Sequence, residues 1–216
     1  MNKTFGEKLL ANERSRLGLW ALLTQIDADL AVQACTQGCP HCAGALHRSN
    51  YRRKVWALMK KTAMEAWRDS FCCAEEGCRR RMTPGSVRFL GRRIYAGFIV
   101  VLLTALRHGL SAPRVAALQE HLGVDRRTLE RWRQWWLQHF APGRPWRAAR
   151  GRFLPPAPDP ATLPWSLWRC FGDDGEKSLL ALLRFLTPWS TRAAPGKPRV
   201  DPSPAEHAGR GRKTGG

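Results

Sequence analysis

The sequence predicts a mainly α-helical protein that carries one small β ribbon and a helix-turn-helix unit, followed by a proline-rich extension. Three observations predict it. Two pairs of cysteines, Cys39 with Cys42 and Cys73 with Cys78, lie about thirty residues apart. Apolar residues recur at helical spacing on both sides of a Gly-Val-Asp turn at 123–125. Finally, 12 of the 15 prolines fall after Phe140, where they interrupt regular structure. With 216 residues, 44% of them apolar, the chain suffices for one ordinary domain or two small ones with tails. The expected segments are an N-terminal helical segment (1–34), the ribbon (35–91), the helix-turn-helix domain (92–140), a linker with one short helix (141–190) and a disordered basic tail (191–216).

In the first segment a helix is expected at about residues 27–35, placed to cover the core or to pair with another copy. Its apolar run, Leu17 to Leu23, follows Glu13, Arg14 and Arg16 and precedes no small-residue cleavage site, so it is not read as a secretory leader. The strongest apolar stretch, Phe98 to Leu106, is far shorter than the roughly 20 residues of a membrane span. The expected location is therefore cytoplasmic, in association with the nucleoid. In that reducing setting paired cysteines point to zinc rather than to disulfides.

The ribbon is built on two turns. Cys39-Pro40-His41-Cys42-Ala43-Gly44 places two thiolates two residues apart, with a small residue and a glycine that let the backbone curl back. The second turn, Phe71-Cys72-Cys73-Ala74-Glu75-Glu76-Gly77-Cys78, has four intervening residues. Adjacent residues on a strand point to opposite faces, so one of Cys72 and Cys73 faces the metal, and Cys73 is favoured. The expected ligands of a closed, structural Zn2+ site are Cys39, Cys42, Cys73 and Cys78, with Cys35 and His47 as further candidates. Around it Arg52, Arg53, Arg79, Arg80 and Arg81 are expected to contact phosphates.

The helical unit begins with Arg92 and Arg93, two further phosphate candidates, and a buried scaffold helix over 92–108 that stops at Gly109. A second helix follows Ser111-Ala112-Pro113 and buries Val115, Leu118 and Leu122. Gly123 ends it, Val124 plugs the core and Asp125 caps a third helix running from Arg126 to about His139. On that helix Leu129, Trp132 and Trp136 share one face, which leaves Arg127, Glu130, Arg131 and Gln134 opposite. Such a row suits a major groove, because arginine bonds guanine and glutamine bonds adenine in a bidentate manner. Arg126 and Arg133 flank the row as phosphate contacts. Beyond it, Trp146 is expected in the core, and Glu176 to Leu186 form the short helix of the extension, preceded by Asp173 and Asp174 as its N-terminal charge complement.

Charge agrees with this placement. Lys and Arg number 36 against 17 Asp and Glu, and +16 of the +19 net charge lies between residues 35 and 153, so a polyanion is the expected partner.

The four-cysteine ribbon followed by Gly123-Val124-Asp125-Arg126-Arg127-Thr128-Leu129-Glu130-Arg131-Trp132 resembles the DNA-binding heads of bacterial insertion-sequence transposases and their small accessory proteins. The stretch from Cys39 to Phe140, including Thr83-Pro84 and Ser86-Val87-Arg88-Phe89-Leu90-Gly91-Arg92-Arg93, also resembles an uncharacterised proteobacterial family of transposase-like proteins. The resemblance covers about half the chain. It implies zinc and sequence-specific binding to duplex DNA; on the reading of the third helix given above, Arg126, Arg127, Thr128, Arg131, Arg133 and Gln134 are the expected DNA-binding residues.

No catalytic activity is expected. RNase-H-type transposition needs three carboxylates on a domain larger than the 76 residues after Phe140, and the only tyrosines, Tyr51 and Tyr95, are not placed as a recombinase nucleophile would be. The open alternatives are a targeting subunit whose transposase catalytic chain is separate, and a protein that binds RNA through its ribbon and exposed aromatics.

Overall fold

In the computed structural model, residues 5–90, 95–105, 111–154, 157–172 and 175–191 are described. Arg92, Arg93, Gly109, Asp173, Asp174 and residues 192–216 of the expected basic tail lie outside them. Two helices open the chain, α1 (Phe5–Ala11) and α2 (Glu13–Gln37). The α2 helix starts well before the expected 27–35 span. Its beginning is set by Asn12, whose side chain accepts the Ser15 N–H, and the run that includes Leu19, Trp20 and Leu23 continues in register to Ala31 as one buried stripe. Gly38, at φ 73°, ends it.

Next come two small antiparallel sheets. In one, β1 (Leu46–Arg48), β4 (Phe71–Cys73) and β5 (Arg81–Met82) lie in the order β1-β4-β5. The other is the long hairpin β2 (Tyr51–Met59) and β3 (Thr62–Arg68), inserted between β1 and β4. The hairpin alternates as a half-buried strand pair should. Arg52 and Lys54, paired with Trp67 and Glu65, face out, whereas Val55 and Ala66 are buried. Glu13 of α2 accepts the Lys60 N–H at the hairpin turn, 3.2 Å away.

The core centres on α3 (Gly97–Thr104), whose residues from Gly97 to Leu103 are all buried. This matches a helix apolar nearly all round. Against it packs α5 (Arg126–Trp135), which a five-residue π turn extends to Phe140, while the preceding α4 (Ala112–Leu122) lies against β2. Leu122 is fully buried, while Val115 and Leu118 are only half-buried because α4 lies at the edge of the core. Trp132 meets Tyr95 edge-on at 4.9 Å, and the Trp136 Nε1–H donates to Thr104 Oγ1 at 3.1 Å. These two tryptophans fix how α5 sits on α3.

The expected linker is itself partly helical. The segments α6 (Arg144–Ala149), α7 (Trp165–Arg169), α8 (Gly175–Phe185) and α9 (Thr187–Ser190) follow one another. Prolines at the first helical positions start α6 and α9 instead of breaking them. Trp146, Leu167, Leu179, Leu182 and Leu183 join the same apolar core as α3. Phe140, Trp146, Phe153, Phe171, Phe185 and Trp189 form a continuous aromatic cluster. Composition obscured this, because the aromatics are spread among the prolines.

One buried polar network ties the layers together. Asp27, on the inner face of α2, accepts from Arg88 Nε at 2.7 Å, from Ser86 Oγ at 2.5 Å and from the Val87 N–H at 2.7 Å. Arg88 also donates to the Trp67 carbonyl on β3, and the Ser86 N–H donates to Ser190 Oγ on α9. The carboxylate thereby holds the segment at 86–88, which in turn bonds β3 and α9.

Candidate metal centre and basic surface

The sulfurs of Cys39, Cys42, Cys73 and Cys78 all lie within 4.8 Å of one another. Cys39 and Cys78 are 3.7 Å apart, Cys42 and Cys73 3.4 Å. Thiolates held about 2.3 Å from one tetrahedral ion would be about 3.8 Å apart, so the cluster has the dimensions of a four-sulfur metal site. Two tight turns create it. The Ala43 N–H donates to the Cys39 carbonyl at 2.8 Å, and the Cys39 N–H donates to Gly44 at 2.9 Å. In the second turn the N–H groups of Cys78 and Arg79 both donate to Glu75. The two turns touch at Gly44, where a Cβ would lie 2.4 Å from the exposed Glu75 side chain, so a larger residue there would displace that side chain.

Strand geometry settles which of the adjacent cysteines belongs. Cys73 is buried and points to the other sulfurs, while Cys72, on the opposite face, donates to the Arg79 carbonyl. Cys35 and His47 are not among the clustered ligands; Cys35 reaches toward the Leu46 carbonyl at 4.0 Å. His41 accepts from Arg80 Nη1 at 2.9 Å.

Cys39 and Cys73 differ in acidity. The backbone N–H groups of His41 and Cys42 point at the Cys39 sulfur and lower its pKa to about 7 against the effect of burial. Burial pushes the Cys73 thiol up to about 12, even though the Glu75 N–H favours its thiolate. Thiolates, not thiols, are metal ligands, so a cation entering this site must displace the Cys73 proton. Four sulfurs with no fifth protein donor among the described residues fit a closed structural centre.

The α4–α5 pair is joined by Gly123 at φ 65°, buried Val124 and Asp125. Asp125 accepts the Thr128 N–H at 2.6 Å, and this bond lowers its pKa. Arg126, Arg127, Arg131, Arg133 and Gln134 are exposed on α5. Arg126 bonds Glu130 at 3.0 Å within the helix. Thr128 differs from the expectation. It is only 3% exposed, because its face of the helix packs inward beside Leu129. Its hydroxyl accepts from Arg131 at 2.8 Å, which ties that arginine to the first turn of the helix.

The other basic candidates are spread over the sheets. Arg52 lies over the Trp67 ring at 5.2 Å and faces Glu65 at 3.4 Å. Arg79 is 3.8 Å from Glu76, and Arg81 donates to Ser49 Oγ at 2.5 Å. Arg53 is half-buried with its guanidinium over Phe89. The sequence singled out these arginines but not the groove that Arg53, Arg80 and Arg81 share, whose walls come from segments distant along the chain. Nor did it identify the Asp27–Arg88 pair, since helical periodicity marks a buried face without revealing a charged partner 61 residues away.

Comparison of the chain with protein-family models, with curated proteins and with solved structures finds no match. No described helix is long and apolar enough to cross a membrane.

Proposed function

We propose that the protein binds duplex DNA in a sequence-specific manner and reads the major groove with α5. The observation that carries this reading is the capped unit α4–Gly123-Val124-Asp125–α5, whose inner face is anchored by Leu129, Trp132 and Trp136. Its outer face presents Arg127, Arg131 and Gln134 to solvent. An anchored helix with bidentate donors on its first turns is what base readout requires. The net charge of +19 supplies the phosphate attraction that accompanies it.

The four-thiol centre is assigned to Zn2+, which favours a closed tetrahedral sulfur set and carries no redox chemistry. When bound, zinc cross-links the two turns. The chain's own residues orient the sulfurs through Gly44 and the Glu75 carbonyl, and they surround the centre with Arg79, Arg80 and Arg81.

On the resemblance of its motifs, the chain acts as a mobile-element DNA-binding or regulatory factor, non-enzymatic in itself, whose partners are DNA, a second copy or a separate catalytic chain. A second reading has one observation in its favour. Trp67 is 55% exposed on the outer face of the hairpin beside Arg52, an arrangement on which an unpaired base of RNA or single-stranded DNA can stack.

Competition in a binding assay separates the two. Labelled random-sequence duplex displaced by unlabelled duplex and not by single strands supports groove reading, and preferential displacement by single strands overturns it.

A further inference from the structure

A groove of about 1160 Å3 lies between the C-terminal half of α2, the Cys39–Cys42 turn, the adjoining ends of β2 and β5, and α9. Its lining includes Arg53, Arg80, Arg81 and His41, together with Gln33 and neutral threonine and tyrosine side chains, and it contains no aspartate or glutamate. Arg, Thr, Gln and Tyr are the side chains that contact sugar-phosphate backbones. The apolar lining comes from Leu30, Met82 and prolines, which offer little to a folded protein partner.

We infer that this groove is a second nucleic-acid contact, a track for a phosphodiester backbone separate from α5. The inference rests on the nucleic-acid-binding reading above and deepens it by locating the backbone site. Two local negative charges have to be outweighed. The C-terminal end of α2 carries about half a negative charge, and a zinc ion with four thiolates carries a net charge of −2. Against them the groove wall sets the guanidinium groups of Arg53, Arg80 and Arg81, while Arg79 beside Cys78 is paired with Glu76 at 3.8 Å.

The partner's form, flanking duplex or a separated single strand, is decided by experiment. The zinc-loaded full-length chain is titrated with a 30-base-pair duplex and with a 20-nucleotide single strand over a range of salt concentrations. The same titrations are run on Arg80→Gln/Arg81→Gln and on Gln33→Glu. The latter adds a carboxylate to the groove from α2, away from the cysteine turns, and so keeps the test valid if the double variant loses metal. Losing two phosphate contacts lowers the slope of log K against log salt by about 1.8 on duplex or about 1.4 on single strands. A reduced slope on either probe supports the groove and identifies its partner's form. Unchanged slopes on both probes, in variants that keep zinc and fold, overturn it.

An Arg127→Ala control separates the two claims. Loss of sequence preference there, with unaltered groove variants, sinks the groove and leaves α5 readout standing. The converse pattern does the opposite, and a wild-type chain that binds neither probe sinks both.

Discussion

Asp125 and Thr128 begin a hydrogen-bond relay at the start of α5: the Asp125 carboxylate accepts the Thr128 N–H at 2.6 Å, and the Thr128 hydroxyl accepts from Arg131 at 2.8 Å. The residue that caps the helix is therefore two bonds from an arginine proposed to read bases. Helix stability and the aim of the recognition surface are coupled at this point.

Asp125→Ala removes an N-cap and should cost about 1 kcal/mol, measured by denaturant unfolding at pH 7. Because the folded pKa of Asp125 lies below its unfolded value of about 3.9, its contribution is fully present above that pH and disappears as pH falls through the lowered value. The gap between wild type and Asp125→Ala should stay constant from pH 7 to about pH 5 and close below pH 4. A gap that widens with acid would show that the carboxylate is not stabilised at the cap.

Cys73→Ser should abolish metal binding and lower the melting temperature sharply, because it removes one of four clustered sulfurs. Cys72→Ser, on the other face of the strand, should keep one zinc per chain. Metal analysis of both proteins, purified under reducing conditions, checks the pair. Zinc absent from wild type would refute the assignment.

Asp27→Ala leaves Arg88 buried without its closest counter-ion and should cost about 3–5 kcal/mol, seen as a fall in denaturation midpoint. The carboxylate accepts from three groups, so Asp27→Asn should recover only part of that loss. A loss below about 1 kcal/mol for the alanine variant would mean that water replaces the carboxylate.

Arg127→Ala and Arg131→Ala should each weaken binding at the preferred site by about 1–3 kcal/mol and relax base preference there. Thr128→Val should cost less, since it frees Arg131 without removing it. Equal weakening on all sequences would assign these arginines to phosphates.

Much of this site was legible in the sequence, for identifiable reasons. The Cys39–Cys42 turn and the strand alternation at Cys72 and Cys73 are local, so spacing alone brought together the four sulfurs that cluster. The inner face of α5 was equally readable, because Leu129, Trp132 and Trp136 repeat at helical spacing and Gly123 and Asp125 punctuate the turn. The burial of Thr128 was not legible, because a threonine on the first turn can face either way and tertiary packing decides. The start of α2 was missed because its signal is the single cap Asn12. The hairpin β2–β3 and the helices after Phe140 were obscured by charge and proline, and the Asp27–Arg88 pair and the basic groove depend on contacts between distant segments that no local pattern encodes.

The most direct test of the central claim is selection of bound sites from random duplex DNA by the zinc-loaded full-length chain, at fixed salt near 150 mM because phosphate-driven binding falls steeply with salt. The account predicts an enriched motif with guanine or adenine at the positions opposite Arg127, Arg131 and Gln134, and loss of that enrichment in Arg127→Ala. Tight binding with no enriched motif would contradict it and leave a charge-driven nucleic-acid binder.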